Sequence, residues 1–426
     1  MHRCGSGHRH RAGTGLRSAT GGPAARPLLP ARTTEAQIVQ AAAPAQERDR
    51  GSRSRRATVA ASPAAAPSRA GLRHYIRPDS REKYMPQRSD INRRVVLAQR
   101  PKGTPDESTL RMEEVPIPEP AEGQMLLRTV WLSLDPYMRG RMNDTKSYAK
   151  PVEIGGVMTG QVVAEVMQSR LTGFEAGDMV LAGSGWQDYA LSDGTEVVNL
   201  GKAPERPSRA LGILGMPGYT AYAGLLKIGE PQPGETVVVA AASGPVGATV
   251  GQIAKLKGCR AVGVAGGADK CRYVVETLGF DACIDHRAPD FEAQLAAACP
   301  NGIDIYFENV GGRVLYGVLP LLNPFARMPV CGIVSWYNSP GLPEGPDMAP
   351  ALMGTILRMK VKLQGFIIFD SFPRSLYAEF AREMTGWLAE GKVKYREQVV
   401  EGLEAAPQAL NDLLAGRNFG KMVVKL

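Results

Sequence analysis

A glycine turn that directly follows an apolar run is the strongest chemical signal in this chain. Residues 237–242 read Val-Val-Val-Ala-Ala-Ala, and Ser243-Gly-Pro-Val-Gly247 follows before an apolar helical pattern begins. Gly244 and Gly247 occupy the second and third positions of a G-x-G-x-x-G pattern, with Ala242 where the first glycine is usual. Such glycines let the backbone approach a pyrophosphate, and the following helix offers N–H donors and the positive end of its dipole. The pattern predicts a dinucleotide-binding site, although a tight strand–helix turn without a ligand would use the same residues.

The tip of the next predicted strand indicates which dinucleotide binds. The chain continues there as Ala265-Gly-Gly-Ala-Asp-Lys-Cys-Arg272, about 20 residues beyond the fingerprint. Enzymes that use NAD usually have a carboxylate at this tip, whereas here Gly266 leaves space and Lys270 follows within a turn. The tip therefore favours NADP(H), because a 2′-phosphate would meet positive charge. Two alternatives stay open: Lys270 and Arg272 could form an ordinary solvated helix face, and Asp269 could cap the helix or reach the ribose.

The histidine and cysteine content restricts the possible chemistry. His286 is the only histidine after residue 84, and residues 85–207 contain neither His nor Cys. A catalytic zinc needs three Cys, His or carboxylate ligands, so we expect no metal site of the alcohol dehydrogenase type. Nucleophilic mechanisms based on Ser-His-Asp or Cys-His fail for the same reason unless His286 is recruited. The six cysteines are scattered singly, which is typical of free thiols in a reducing cytoplasm.

Three tyrosines are candidates for hydrogen-bonding an oxyanion that develops during hydride transfer, a reaction that needs no metal. Tyr337 ends the predicted strand 330–338, while Tyr137 and Tyr148 lie in polar segments of the first half. Ligands of open α/β sheets bind at the carboxyl ends of the strands, which favours Tyr337. Each tyrosine alone could equally be a packing residue with a hydrated hydroxyl.

Two patterns of secondary structure must position these residues. Residues 93–199 contain short strand signals separated by Gly and Pro, which predicts a strand-rich, partly barrel-like domain. After Pro207 strand and helix patterns alternate, which predicts a parallel, doubly wound sheet. Helices at 374–389 and 405–414 and a strand at 421–425 are expected to pack back on the first domain. The predicted strands of the alternating region are 236–241, 261–264, 282–284, 303–307 and 328–334.

The first 84 residues differ from the rest in composition. They contain 16 Lys and Arg against 5 Asp and Glu, whereas the remaining chain contains 35 against 37. The folded part is therefore nearly neutral, with no sign of a nucleic-acid-binding surface. The Arg- and Ala-rich extension is expected to be disordered, either as a transit peptide or as a stretch upstream of a true start at Met85. No apolar run reaches the ~20 residues of a membrane span.

Six segments, taken in order, resemble one enzyme family. On these segments the chain from about Met85 to Leu426 resembles the zinc-independent medium-chain dehydrogenase/reductases, in particular the NADP-dependent oxidoreductases of the prostaglandin reductase and bacterial curcumin reductase type. The first 84 residues take no part in this resemblance. The six segments are Asp135-Pro-Tyr-Met-Arg139, Gly215–Tyr222, Ala240–Gly247 with Val250–Gly258, Tyr306–Gly312, Cys331–Asn338 and Gly416–Lys421.

The resemblance implies an α/β fold in which a doubly wound Rossmann sheet is inserted in a strand-rich, partly open, GroES-like catalytic domain. The implied parts are an extension at 1–84, the catalytic domain at 85–210, the NADP-binding domain at 211–370 and a return to the catalytic domain at 371–426. The implied reaction is NADPH-dependent reduction of the carbon–carbon double bond of α,β-unsaturated ketones or aldehydes. The implied enzyme is a cytoplasmic homodimer without nucleic-acid or membrane partners.

The resemblance also implies roles for individual residues. Lys270 would bind the 2′-phosphate, Asn309 the nicotinamide ribose or carboxamide, and Asn418 the phosphates. Tyr337 would be the catalytic residue and would hydrogen-bond either the substrate carbonyl or the nicotinamide ribose. The implied substrate-binding residues are Tyr137, Tyr148 and Trp336. The implied cofactor-binding residues are Met216, Thr220, Ser243, Gly244, Pro245, Val246, Gly247, Gly266, Lys270, His286, Asn309, Tyr337 and Asn418.

One segment departs from the family, and two other functions stay open. Relatives often have a Tyr in an Asn/Asp-Tyr-Lys segment that touches the 2′-phosphate, whereas this chain has Asp285-His-Arg287. His286 could still donate to a phosphate, so the expected NADP preference is modified rather than removed. A quinone reductase of the same superfamily is one alternative, and Asp135-Pro-Tyr-Met-Arg139 argues against it. A nucleotide-binding protein without turnover, as in the related lens crystallins, is the other, and Tyr337 argues against it.

Overall fold

Two large sheets and a hairpin make up the described part of the chain, which comprises residues 90–341 and 345–426 of a computed structural model. The prediction that residues 1–84 are disordered concerns residues outside these described ranges. The strands are β1 (Ile91–Leu97), β2 (Leu110–Pro116), β3 (Met125–Ser133), β4 (Val162–Ser169), β5 (Asp178–Ala182), β6 (Tyr189–Ser192), β7 (Val198–Lys202), β8 (Thr236–Ala240), β9 (Arg260–Ala265), β10 (Ala282–Asp285), β11 (Ile303–Phe307), β12 (Leu322–Val330), β13 (Lys362–Gly365), β14 (Glu397–Glu401) and β15 (Lys421–Lys425). The helices are α1 (Tyr137–Arg141), α2 (Met216–Gly224), α3 (Pro245–Leu256), α4 (Ala268–Arg272), α5 (Phe291–Ala298), α6 (Gly312–Val318), α7 (Ala349–Met359), α8 (Ile368–Ser371), α9 (Arg374–Ala389) and α10 (Ala406–Leu414).

A seven-stranded sheet forms the strand-rich half of the molecule. Its order is β14-β15-β3-β4-β5-β7, and β6 pairs with β3. The inward-facing side chains of β3 and β4, among them Leu127 and Val162, are buried in one core with residues of α10 and β15. The expected strand-rich domain is confirmed. The strands that the sequence predicts in this region are 95–98, 124–133, 156–167, 179–182 and 186–191. They do not include β2 and β7, which have few buried apolar side chains.

A six-stranded parallel sheet forms the second half, in the order β10-β9-β8-β11-β12-β13. The central strand β8 is buried on both faces, since Val237 and Val239 contact one core cluster and Val238 and Ala240 another. Strands covered by helices on both sides have such continuous apolar runs, which is why the sequence revealed them. The strand order reverses between β8 and β11, and open parallel sheets bind ligands at this reversal point. The expected doubly wound sheet is confirmed.

The expected strand 330–338 is right only at Val330, and the expected strand 328–334 is wrong beyond Val330. β12 ends at Val330, because the Glu308 carbonyl accepts the N–H groups of both Cys331 (2.9 Å) and Gly332 (3.2 Å). These two hydrogen bonds turn the chain over the end of β11. A single 3₁₀ turn follows at Val334–Trp336, so Tyr337 stands after this turn and not at a strand end.

The expectation that the helix at 374–389 packs on the strand-rich domain is also wrong. Leu376, Phe380 and Met384 lie one turn apart on α9 and are buried in the core cluster of the parallel sheet. Phe380 contacts the rings of Tyr219 and Tyr222 on α2, a helix that the sequence analysis did not predict. The aromatic face of α2 is thus what holds α9 there, whereas α10 and β15 do join the strand-rich core.

No helix of the described ranges is long and apolar enough to cross a membrane.

A buried ion pair joins β15 to the segment before α1. The Lys421 ammonium lies 2.6 Å from Asp135 Oδ1 and donates to the Leu134 carbonyl at 2.8 Å. Both side chains are almost fully buried, and Ser133 donates its hydroxyl to the second oxygen of Asp135. Burial is the main cause that lowers the pKa of Lys421, and the Asp135 charge opposes it. The pair therefore depends on complete hydrogen bonding in a dry site.

We expect Lys421→Met to lower the free energy of unfolding by about 3 to 5 kcal/mol, because it leaves the Asp135 carboxylate buried without its partner. Lys425→Met is the matched control on the same strand, since Lys425 is half exposed and lies 4.0 Å from Glu401. That change should shift stability by less than about 0.5 kcal/mol. Urea unfolding of the two variants measures both values. Equal losses in the two variants would show that the buried ion pair stabilises the fold no more than the exposed pair does.

Candidate functional site

The turn between β8 and α3 forms one wall of a cleft at the carboxyl end of the parallel sheet. Ala241 follows β8 in a left-handed backbone conformation, with φ of 54°. The Gly244 N–H donates to the Ala241 carbonyl at 2.9 Å and so closes the turn before α3. A Cβ at Gly247 would lie 2.3 Å from the same carbonyl oxygen. Only glycine therefore permits this close approach of helix and strand.

The N-terminus of α3 opens into this cleft. No side chain caps the helix, whose first residues are Pro245 and Val246, so its first N–H groups are available to an anion. We call the space the α3 cleft; it is lined by Ser243, Gly244 and Pro245 from the turn and, across from them, by Tyr273, Arg396 and Lys421. Helix N–H groups and the Arg396 guanidinium suit a pyrophosphate, whereas the Lys421 ammonium is already paired with Asp135. The chain therefore fits the phosphates of a dinucleotide here.

Tyr273 and Arg396 of the α3 cleft were not among the sequence candidates. Phe419 holds both, since the Arg396 guanidinium stands 4.1 Å from its ring centroid and the Tyr273 ring meets it edge-on at 5.0 Å. The Gln252 side chain also binds the backbone of Lys394 on both sides, with its Oε1 accepting the Lys394 N–H at 2.7 Å. These contacts join distant parts of the chain. No local pattern in the sequence could have revealed them.

The tip of β9 is surrounded by basic side chains. A Cβ at Gly266 would lie 2.8 Å from His286 Nε2 and 3.1 Å from Arg287 Nε, so both side chains lie directly against this glycine. The Lys270 ammonium donates to the Gly416 carbonyl at 2.7 Å, which orients it across the same tip. Burial, with help from Arg287, lowers the pKa of Lys270 and of His286. Lys270 and Arg287 thus place positive charge where a phosphate would bind, beside the His286 imidazole.

Asp269 and Arg272 face away from this basic tip. They form an exposed ion pair with each other, and the Asp269 side chain is 83 % exposed. No side chain caps α4, so Asp269 does not serve as the cap that the sequence allowed. Arg272 belongs to the solvated helix face. Lys270 is therefore the member of the α4 basic pair that lies at the tip.

Three other predicted cofactor-binding residues hydrogen-bond to backbone carbonyls; they are Asn309, Asn418 and Thr220. Asn309 lies where the strand order reverses, because its Nδ2 donates to the carbonyl of Ala240, the last residue of β8, at 2.9 Å. Asn418 Nδ2 donates to the carbonyl of Gly420, which lines the α3 cleft, also at 2.9 Å. The Thr220 hydroxyl donates to the Met216 carbonyl inside α2. The cofactor roles of Met216 and Thr220 stay predictions.

The three candidate tyrosines lie near one another. The Arg141 guanidinium stands 5.8 Å from the ring centroid of Tyr137 and 5.0 Å from that of Tyr148. Burial raises the pKa of Tyr337 to about 12, and the neighbouring Tyr148 contributes. Burial likewise raises the pKa of Tyr137 and of Tyr148. All three hydroxyls are therefore protonated near neutral pH and can donate hydrogen bonds.

Trp336 precedes Tyr337 in the chain and packs against the start of α6. Its ring covers Gly311, where a Cβ would lie 2.9 Å from Trp336 Cζ3, and it packs against the core next to α6. Gly311 has a φ of 76°, so glycine is required there on two grounds. These contacts hold the end of β11 in place. A contact between Trp336 and substrate stays a prediction.

Two family models match the chain. Residues 93–200 match the N-terminal domain of oxidoreductase, and residues 245–386 match a model described as zinc-binding dehydrogenase. Within residues 90–341 and 345–426, however, no three or more His, Cys, Asp or Glu side chains lie together as a metal site requires. The second model thus matches the half of the chain that holds the parallel sheet.

Several known proteins are similar to this chain over three quarters or more of its length. The NADPH-dependent curcumin reductase of Escherichia coli is 59% identical over 342 residues, 80% of this chain and 99% of that protein. Prostaglandin reductase 1 of Oryctolagus cuniculus is 40% identical over 326 residues, 75% of this chain and 89% of that protein. The crystal structure of CurA in complex with NADPH from Vibrio vulnificus has a TM-score of 0.76 at 59% identity and covers 78% of this chain and 98% of its own. The chain belongs to the zinc-independent medium-chain dehydrogenase/reductases, in the group of NADP-dependent oxidoreductases that contains the curcumin and prostaglandin reductases.

Proposed function

We propose that this protein catalyses the NADPH-dependent reduction of the carbon–carbon double bond of α,β-unsaturated ketones and aldehydes. The observation that carries the proposal is the Tyr337 hydroxyl, a partly buried donor that lies beside Gly332 and near Tyr148 at the carboxyl end of the parallel sheet. Such a donor stabilises the negative charge that forms on a carbonyl oxygen when its conjugated double bond is reduced. The similarity to curcumin and prostaglandin reductases supports the same substrate class.

The residues of the two halves have separate tasks in this proposal. The N-terminus of α3 and Arg396 bind the pyrophosphate, and Asn309 orients the nicotinamide end. When bound, NADPH would supply the hydride that the substrate receives at its β-carbon, and the enolate so formed takes up a proton that comes from solvent at its α-carbon. Tyr337 donates a hydrogen bond to the carbonyl oxygen, and this bond strengthens as charge develops there. Tyr137 and Tyr148 enclose the substrate and exclude water.

The basic tip of β9 selects the phosphorylated cofactor in this proposal. His286 and Arg287 lie beside Gly266, and Lys270 lies near Arg287. Burial, and then repulsion from Arg287, lowers the pKa of Lys270 and of His286. A 2′-phosphate relieves this repulsion, whereas the 2′-hydroxyl of NADH does not. The protein therefore prefers NADPH.

We further propose that the protein is a homodimer. β13 is an edge strand of the parallel sheet, and all four of its residues are exposed. Three large apolar side chains are exposed at this edge. Leu363 on β13 is 41% exposed, and Met353 and Leu357 on α7 are 61% and 79% exposed. Exposed apolar edges are usually covered, because uncovered ones aggregate. A second copy that pairs with β13 about a twofold axis covers both edges at once.

The cytoplasm is the compartment that we propose for this enzyme. The described cysteines, which are Cys259, Cys271, Cys283, Cys299 and Cys331, are all free. Free thiols are typical of reducing compartments.

Lys270→Ala should lose about 1.5 to 3 kcal/mol of the preference for NADPH over NADH, the value of a charge-assisted hydrogen bond. Arg272→Ala is the control on the same short helix, because Arg272 pairs with Asp269 in solvent, and it should leave the preference unchanged. Titrations of both variants with both nucleotides measure the four dissociation constants against the unmutated protein. Equal affinity of the unmutated protein for NADPH and NADH would contradict the cofactor assignment.

Tyr337→Phe should lower kcat by roughly 10²- to 10³-fold and leave NADPH affinity nearly intact, because one oxyanion donor is lost. Tyr316→Phe is the control, because Tyr316 lies on α6 and packs against the core of the parallel sheet. Stopped-flow hydride transfer with enals, enones and quinones, alongside an NADPH titration, gives both quantities. A parallel loss of NADPH affinity would instead assign the hydroxyl to the nicotinamide ribose. Turnover of quinones alone would overturn the proposed reaction.

Leu357→Glu should convert the dimer to monomers, because it places a charge in the apolar surface beside β13. Leu191→Glu on β6 changes an exposed leucine away from this edge and should leave the dimer intact. Sedimentation equilibrium at micromolar concentration gives the mass of each variant. A monomeric unmutated protein would refute the dimer without affecting the proposed reaction.

A further inference from the structure

Arg139 is a buried guanidinium on α1 that reaches across to the segment carrying Tyr337. It lies two residues after Tyr137 and is 2 % exposed. Its Nε donates to Asn338 Oδ1 at 3.0 Å, and its Nη2 donates to the Gly103 carbonyl at 2.8 Å. Its Nη1 donates to Asn143 Oδ1 at 2.6 Å. One side chain thus connects three separate parts of the chain.

The acceptors around Arg139 are neutral. Burial lowers the pKa of its guanidinium, and no charge partner opposes this effect. Burying a charge against amide and carbonyl oxygens is costly, so a side chain that merely filled this space would not need to be charged. What only arginine provides is a rigid fork of five donors that binds several acceptors in fixed directions. The arrangement is therefore suited to fixing positions rather than to filling volume.

The segments that Arg139 joins border the proposed substrate pocket. Asn338 is the chain neighbour of Tyr337, and Tyr137 lies on the same turn of α1 as Arg139. Gly103 touches the same junction, because a Cβ there would lie 3.7 Å from the Asn338 carbonyl. The Arg139–Asn338 hydrogen bond is therefore a direct link between the strand-rich half and the segment that carries the donor hydroxyl.

We propose that Arg139 is a positioning residue, which through its hydrogen bond to Asn338 fixes the Tyr337 hydroxyl relative to Tyr137 across the substrate pocket. The proposal rests on the proposed function, since it concerns the placement of the oxyanion donor. Displacement of a reacting group by about 1 Å can cost 10²-fold in rate. Arg139 acts on the reaction through Tyr337 and has no contact with the reacting atoms in this proposal.

Arg139→Lys keeps the charge but loses the fork, and Asn338→Ala removes the acceptor beside Tyr337. Each should lower the rate of hydride transfer at saturating NADPH by roughly 10- to 100-fold, with NADPH affinity within about twofold of the unmutated protein. The double variant should be no slower than the slower single variant, because both changes break the same link. Asn143→Ala removes an acceptor that does not lead to Tyr337 and should leave the rate unchanged. Rate losses that multiply in the double variant, or an equal loss in Asn143→Ala, would overturn the proposal.

Hydrogen–deuterium exchange tests the same link without turnover. The Val334 and Ser335 amides donate to the carbonyls of Asn309 and Val310 at 3.2 Å and 3.0 Å, so their exchange reports how firmly the segment is held. Exchange there should rise about tenfold in Arg139→Lys and in Asn338→Ala, the effect of losing one charge-assisted hydrogen bond. It should stay unchanged in Asn143→Ala. Unchanged exchange in Asn338→Ala would overturn the link, whereas absent enone reduction in the unmutated protein would refute only the proposed function.

Discussion

The Lys421 ammonium is buried where water cannot solvate it, and its two oxygen partners come from the turn that leads into α1. A charge in this position strongly favours one arrangement, because displacement of Asp135 removes the opposite charge from each of two buried ions. The strand β15 and the start of α1 are therefore locked together. Since Lys421 also lines the α3 cleft, the cofactor site and the helix that carries Tyr137 and Arg139 share one fixed reference point.

The α3 turn shows how the fold accepts local strain to build a phosphate site. Ala241 occupies a left-handed conformation that costs a residue with a side chain about 1 to 2 kcal/mol. Its carbonyl accepts the Gly244 N–H, and the Ala242 N–H donates to the Val264 carbonyl on the neighbouring strand β9. One hydrogen bond within the turn and one to the sheet thus hold this conformation. The strain leaves the helix N-terminus directed into the cleft.

The sequence predicted the parts of the fold that depend on local patterns. Strands such as β8, buried on both faces, give continuous apolar runs, and Gly247 is required by a backbone contact that the motif itself describes. The end of β12 could not be predicted, since Cys331-Gly-Ile-Val334 is as apolar as the strand and only the Glu308 carbonyl diverts it. The cleft residues Tyr273 and Arg396 and the link made by Arg139 depend on contacts between distant segments. For such residues, the identity of the neighbours is decided by the tertiary fold alone.

The place of β15 in its sheet also sets an order of events during synthesis. β15 lies between β14 and β3, and it pairs with the Trp131–Ser133 end of β3 beyond β6. That end of β3 therefore has β4 on one side only until residues 421–425 have left the ribosome. All six strands of the parallel sheet precede residue 366, and α9 completes its core soon afterwards. The nucleotide-binding half can therefore close while the earlier-made strand-rich half is still open along one edge. During that interval, the nascent chain presents an apolar strand edge that chaperones bind and that other nascent chains can pair with.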